Sequence, residues 1–413
     1  MKLKRLHYGW VIVVISIGVL AGQALPFQSF GVFFKPIVME FNWDRGTLSV
    51  AFSIMILVTG SLALVAGRLT DRYGPRPIVT IGGLSAGIAF LLMSQISSLW
   101  QVYLIWGILM GISFCFCLLP IMAIVPRWFI KRRGIAMGIT MAGSGIGGII
   151  SPLLAQWLIS AYGWRNAFII VGVITLVIII PLAQFLKHSP QRAGLKPYGE
   201  NEIIEDKQSQ SSAMEGLSFS QAIRTSRFWL FALILAGFFF CFSSMMVHIV
   251  PHATDIGIPE VIAASILSII AGIGIFARLA IGFISDRLGG TLALSICVSL
   301  GTLTLIWLLF AEEIWMFYLF AVLHGFSFGS IATLVPIVPA ELFGLKSLGV
   351  IMGGIILLAT IGEAIGAPLT GSIFDITGSY RLAFLICTVI CTATVILSLV
   401  LLRYKGKTGM ARE

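Results

Sequence analysis

Gly67-Arg68-Leu69-Thr70-Asp71-Arg72-Tyr73-Gly74 and Gly282-Phe283-Ile284-Ser285-Asp286-Arg287-Leu288-Gly289 are two copies of one pattern, Gly-x-x-x-Asp-Arg-x-Gly, set 215 residues apart. The spacing recurs elsewhere. Gly134-Ile135-Ala136-Met137-Gly138 matches Gly349-Val350-Ile351-Met352-Gly353 at the same offset, while Pro120 and Pro336, Pro152 and Pro368, and Arg165 and Arg381 pair at 216. A chain that repeats itself at half its length is built from two copies of one structural unit. Each copy of the pattern joins two apolar runs, so it reads as a short polar turn that needs glycine where helices approach closely. The aspartate near a helix end can pair with arginine and latch a gate. Asp71, Arg72, Asp286 and Arg287 are therefore the expected gating residues.

The surrounding residues say what is repeated. Of 413 residues, 58% are hydrophobic and 11% are charged, against about 25% charged in an ordinary soluble protein. Such a chain takes a bilayer as its solvent. One membrane helix needs about 20 apolar residues, and runs of that length are predicted at 9–35, 46–69, 77–98, 100–126, 133–161, 164–187, 226–252, 259–284, 290–311, 314–340, 347–375 and 380–402. The fold class is all-α: twelve transmembrane helices in two pseudo-symmetric six-helix bundles. Residues 1–187 form the first bundle, 188–225 a polar linker and 226–413 the second. Glu200-Asn201-Glu202 and Gln208-Ser209-Gln210-Ser211-Ser212 give the linker its polar character.

The net charge of +10 does not indicate nucleic acid, because of where the charges fall. With the N-terminus inside, the inner loops hold Lys2, Lys4, Arg5, Arg68, Arg72, Arg76, Arg127, Lys131, Arg132, Arg133, Lys187, Arg192, Lys196, Lys207, Arg224, Arg227, Arg287, Lys346, Arg403, Lys405, Lys407 and Arg412. These are 22 of 27 cations, and only Lys35, Arg45, Arg165 and Arg381 fall outside. The excess of inner positive charge predicts a cell (inner) membrane protein with both termini cytoplasmic. One cation, Arg278, belongs to neither side. The six cysteines have no metal-site spacing and read as packing residues. No metal or cofactor is expected.

The repeated turn resembles the signature loop of the major facilitator superfamily. Three further stretches are similar to monocarboxylate transporters, bacterial or archaeal lactate carriers among them, and to their oxalate/formate-antiporter relatives. Tyr8-Gly9-Trp10-Val11-Ile12-Val13 opens helix 1, and Gly31-Val32-Phe33-Phe34-Lys35 closes it. Trp128-Phe129-Ile130-Lys131-Arg132-Arg133-Gly134 enters helix 5 and leads to Ala142-Gly143-Ser144. Gly366-Ala367-Pro368-Leu369-Thr370-Gly371 ends helix 11 before Asp375-Ile376-Thr377-Gly378-Ser379-Tyr380. The resemblance implies a carrier of small organic anions that alternates access between its two halves. Helix 5 also carries Gly143, Gly145, Gly147 and Gly148, which let another helix approach.

Two formal charges lie well inside the predicted spans. Arg278 sits eight residues before Asp286, ~12 Å along a helix at 1.5 Å per residue. Its guanidinium fork matches a carboxylate, and the resemblance places a substrate-binding arginine there. The family's aspartate one turn earlier is replaced by Gly274. Glu363 stands at mid-depth in helix 11, where low dielectric disfavours a charged carboxyl. It is a candidate proton carrier or counter-ion for Arg278, or else a packing residue. The antiporters' helix 11 lysine is missing, which favours a monocarboxylate over a dicarboxylate. Lys35 is a second coupling candidate or a snorkelling interfacial lysine. Asp255 is a third, or else, grouped with His248 and His252 at the outer end of helix 7, part of an external gate. His324 and Phe328 in helix 10 are candidate pocket residues, though a buried histidine also commonly just packs. Small or apolar residues of helices 1, 4, 5 and 10 would take the substrate's body, Cys115 and Gly143 among them.

The expected partners are a small organic anion, a proton and the bilayer, with no nucleic acid and a functional monomer. Anion exchange is the nearest rival reading; a drug/proton exporter or membrane sensor fits less well. No nucleophile–base constellation supports an enzyme.

Overall fold

A computed structural model describes residues 7–129, 132–190, 194–198, 216–344 and 347–409. Outside these lie Ile130, the inner-loop cations Lys2, Lys4, Arg5, Lys131, Arg192, Lys207, Lys346 and Arg412, and linker residues 191–193 and 199–215.

With no water in a hydrocarbon layer, every backbone N–H and C=O must be satisfied within the segment, and a helix does this by itself. The long helices are α1 (Tyr8–Phe41, with a turn at Ser29), α2 (Arg45–Tyr73), α3 (Pro75–Met93), α4 (Leu99–Trp128), α7 (Ser226–Asp255), α8 (Glu260–Leu288), α9 (Gly290–Leu308), α10 (Ile314–Phe343), α11 (Leu348–Thr377) and α12 (Arg381–Gly409). Arg133–Gln184 is continuous in hydrogen bonding but breaks at Gly163, whose φ of 78° is open to glycine. The break gives α5 (133–162) and α6 (164–184), so the described residues hold twelve spans as the apolar runs predict. α4 includes a π-helical stretch, Tyr103–Leu109.

The repeated turn is present in both copies. Gly74 and Gly289, its last glycines, have φ of 87° and 85° and end α2 and α8. A side chain would strain both positions. The sequence reading expects glycine in this turn where helices approach closely, and the first glycines show no such approach. No atom lies within 4 Å of a Cβ built on Gly67 or Gly282. Glycine is required by the turn's backbone, not by a packed neighbour.

The chain forms two compact units, residues 1–37 with 54–207 and residues 38–53 with 208–413. The division departs from the sequence boundaries, which keep 188–225 apart as a linker and 38–53 with the first bundle. Residues 38–53, expected with the first bundle, pack into the second unit because the start of α2 bonds to α7, α11 and Tyr380.

Helix pairings repeat within each unit. In the first, α1 packs on α5, where a Cβ on Gly143 would meet Ile17 Cα at 2.8 Å, and α3 packs on α6. In the second, α7 packs on α11 and α9 on α12. α2 meets α4 at Gly111, as α8 meets α10 at Gly325 and Gly329. Ile12, Val19, Cys117, Ile121 and Ile179 fill the core of the first unit. Phe231, Leu235, Val298, Ile331 and Leu334 fill that of the second.

Small residues bring the α8 and α10 backbones together. A Cβ on Gly325 would meet Ile270 O at 2.7 Å, and one on Gly329 would run into Gly274. Forcing extra atoms into such a contact costs about 1–3 kcal/mol. Gly329→Val should therefore lower the melting temperature in detergent by several degrees, while Gly282→Ala, with open space around it, should leave it unchanged.

Candidate functional site

Arg278 is the nineteenth residue of the 29-residue α8, about 15 Å from its Leu288 end at 1.5 Å per residue. It is half-buried between buried Ala277 and the exposed, lipid-compatible Phe276 and Leu279. Its backbone is fixed from α10, where Thr333 Oγ1 donates to the Arg278 carbonyl at 3.4 Å. The arginine thus stands at mid-helix, on a stretch of α8 that packs closely on α10.

Glu363 is the sixteenth of thirty residues in α11. Its neighbours Gly362 and Gly366 are pressed onto α7, with Cβ positions at 2.7 Å from Ala236 C and 2.9 Å from Phe240 C. That packing sets how α11 is rotated and leaves Glu363 half-buried beside it. Among the described residues Glu363 makes no hydrogen bond, and no ion pair joins it to Arg278. Carboxyls at such depth are costly and normally retained for function.

Phe328 stacks on Phe242 at 3.9 Å and 7°, and lies parallel to Phe238 at 6.0 Å. This three-ring slab joins α7 to α10. Stacked pairs contribute about 0.5–1.5 kcal/mol beyond area burial, so Phe328 is firmly placed. His324, one turn before it, faces α9. Its Nδ1 is 3.0 Å from Thr304 Oγ1 and its ring stacks on Phe320. The structure therefore gives His324 a core position of its own, apart from the Phe328 stack.

Two expected substrate contacts in the first unit are turned to packing. Gly143 faces the α1 backbone. Cys115 is fully buried in an apolar cluster with Ala66, Ile78 and Phe116. Lys35 is half-buried on α1.

The gating residues differ between the copies. Asp71 pairs with Arg127 at 2.6 Å, not with Arg72, whose guanidinium lies over the Tyr73 ring at 5.1 Å. Arg127 also reaches His188 at 2.8 Å. Asp286 and Arg287 are exposed and take part in no ion pair among the described residues. Since Asp71 is largely exposed, its pair contributes at most about 1 kcal/mol. Asp71→Asn should then shift the melting temperature by only a degree or two.

Asp255 lies in a cluster of which the sequence pattern brought together only His248. Arg45, Asp375 and Tyr380 join them at the bundle end opposite the termini. Asp375 and Tyr380 stand in a stretch singled out by resemblance, but nothing local tied them to Arg45.

An arginine and an acid in the middle of apolar helices, within two units of matching helix pairings, are features of a membrane carrier. The family profile of the Major Facilitator Superfamily matches residues 12–312 and 291–411. The chain belongs to the Major Facilitator Superfamily. As a superfamily member it is a multi-pass membrane transporter, not an enzyme. It is 29% identical over 385 residues to "Monocarboxylate transporter 13" of Rattus norvegicus, covering 92% of this chain and 85% of the relative. It is likewise 29% identical over 416 residues to "Monocarboxylate transporter 2" of Homo sapiens, covering 94% of this chain and 84% of the relative. Among solved structures, the fold is similar to an inward-facing, occupied bacterial homologue of the human lysosomal transporter Spinster. The TM-score is 0.73 at 15% identity, over 96% of this chain and 97% of that one. At that identity the likeness concerns the superfamily fold alone.

Proposed function

We propose that this transporter carries a small monocarboxylate of the lactate or pyruvate kind across the cell membrane, by alternating access, with Arg278 holding the carboxylate. The observation that carries the reading is the placement of Arg278 in mid-α8. A guanidinium there is expensive unless its charge is used, and a bidentate carboxylate is its best-matched ligand. The relatives named monocarboxylate transporters support the substrate class. Phe328, backed by Phe242 and Phe238, offers an apolar wall of the second unit to a short acyl body. α11 carries Glu363 and no lysine near it, which favours one carboxylate over two.

Glu363 is the proposed proton carrier. It is an acid at mid-depth with no hydrogen-bond partner among the described residues, so it can take up a proton without breaking a network. One anion and one proton cross together, so no net charge is moved and the symport is electroneutral. Asp255 and Lys35 are weaker candidates. Asp255 is engaged by Arg45 at 2.6 Å. The excess of inner-loop cations favours cytoplasmic termini, and one chain holding both units can work as a monomer.

The test is uptake of labelled lactate, pyruvate, formate and oxalate into proteoliposomes, with and without an inward proton gradient. Gradient-driven accumulation of lactate or pyruvate is the expected result. Uptake that ignores pH but requires internal anion would establish the exchanger instead.

A further inference from the structure

The turn between α1 and α2 is part of the second unit, and a set of hydrogen bonds attaches it there. Arg45 Nη1 donates to Asp255 Oδ2 at 2.6 Å and to the Tyr380 hydroxyl at 2.7 Å. The Arg45 guanidinium lies 3.8 Å from the centre of the Phe374 ring. The backbone N–H groups of Arg45 and Gly46 donate to the two oxygens of Asp375, at 2.8 and 2.7 Å. These are the first amides of α2, which have no carbonyl partner inside their own helix. Such amides are ordinarily capped by a residue just before the helix. Here the cap is a carboxylate 330 positions away, at the end of α11. The positive end of the α2 dipole adds to its hold on Asp375.

A second row lies deeper. Ser49 Oγ is 3.2 Å from His248 Nε2, which is also 2.9 Å from Ala367 O, and His248 Nδ1 is 3.1 Å from the Tyr380 hydroxyl. Ser53 Oγ donates to Ala364 O. At the closest point the chain at Gly46 lies against Ser372, with both its hydroxyl and its backbone in reach. A Cβ on Gly46 would sit 2.8 Å from Ser372 Cα, and one on Gly371 would sit 2.6 Å from Gly46 N.

The joint is a close contact rimmed by charged and polar groups, each hydrogen bond to a charged group contributing only about 1.5–3 kcal/mol net. We propose that Arg45, Asp375, Asp255, Tyr380 and His248 form a reversible latch. It holds the tip of α2 to α7 and α11 while the face opposite the termini is closed, and it releases when that face opens. Asp375 is its central member, because it caps a helix to which it is joined by no short stretch of chain. The inference rests on alternating access and not on the identity of the substrate.

Thr333→Cys supplies a reporter beside Arg278, in a chain whose native cysteines are all buried. Its rate of reaction with a membrane-impermeant maleimide is measured from each face, in right-side-out and inside-out vesicles. Asp375→Ala, Arg45→Lys and Gly46→Val are compared in that background. Losing one cap shifts a two-state balance by about tenfold, so labelling from the face opposite the termini should rise about tenfold in each. Labelling from the termini's face should fall. Asp375→Asn keeps the shape and removes the charge; it should show the same change if the alanine variant fails to fold. Rates equal to the parent in folded Asp375→Asn and Arg45→Lys would overturn the latch. The assay needs no substrate, so a failure to transport any of the four acids would overturn the substrate reading and leave this result standing.

Discussion

Arg278→Ala should abolish uptake of lactate and pyruvate while leaving the protein at least as stable as the parent. Removing one partner of a buried, hydrogen-bonded charge pair costs about 2–5 kcal/mol, so binding should weaken by at least about thirtyfold. Stability should move the other way. A guanidinium at that depth in α8 costs about 2.5–3.5 kcal/mol on insertion scales, and alanine removes the cost. The two readouts together separate a binding arginine from a structural one. A structural arginine would lower the melting temperature when lost and leave the affinity of the folded fraction unchanged. Arg278→Lys should be intermediate, since it keeps the charge but not the planar fork. Equal transport by parent and Arg278→Ala would end the carboxylate-anchor reading.

Glu363→Gln should uncouple transport from protons. The amide imitates the protonated acid in size and charge, so labelled anion should still exchange for unlabelled anion across the bilayer. Accumulation against a gradient should disappear. In the parent, uptake should rise as external pH falls, because anion and proton enter together; in the variant that slope should flatten. A variant that still accumulates substrate on an inward proton gradient would move the coupling role to Asp255 or Lys35. Since Glu363 makes no hydrogen bond among the described residues, no buried donor is orphaned by the change, and the variant should fold.

The fold was largely legible because the bilayer leaves so few options. Apolar runs of helix length fixed the spans, and α11, expected at 347–375, lies at Leu348–Thr377. The break between α5 and α6 fell where the two runs were separated, at Gly163. Residues 67–74 and 282–289 gave the duplication, and their final glycines adopt the same backbone turn. Arg278 and Glu363 could be singled out because a charge stands out against an apolar helix.

Orientation around each helix was not legible. A soluble helix shows its inward face by an apolar stripe, but α10 is apolar all round, so nothing in its sequence says that His324 turns to Thr304 while Phe328 turns to Phe242. The glycines of α5 announced a close helix approach, but not that the helix meeting Gly143 is α1. The Arg45 cluster was hidden for a different reason. Its bonds join residues 210 and 330 positions apart, and no local spacing rule reaches that far.

The contact between Gly329 and Gly274, together with the bond from Thr333 to the Arg278 carbonyl, makes α8 and α10 a single plank. The height of the guanidinium is then not adjustable in small steps. A one-residue insertion above it would raise or lower it by about 1.5 Å and swing it round by about 100°, out of any pocket. Carriers built on this plank can change their cargo only by exchanging the side chains around a fixed charge, so selectivity should drift through neighbours such as Phe242 and Phe328 while the charge itself keeps its place.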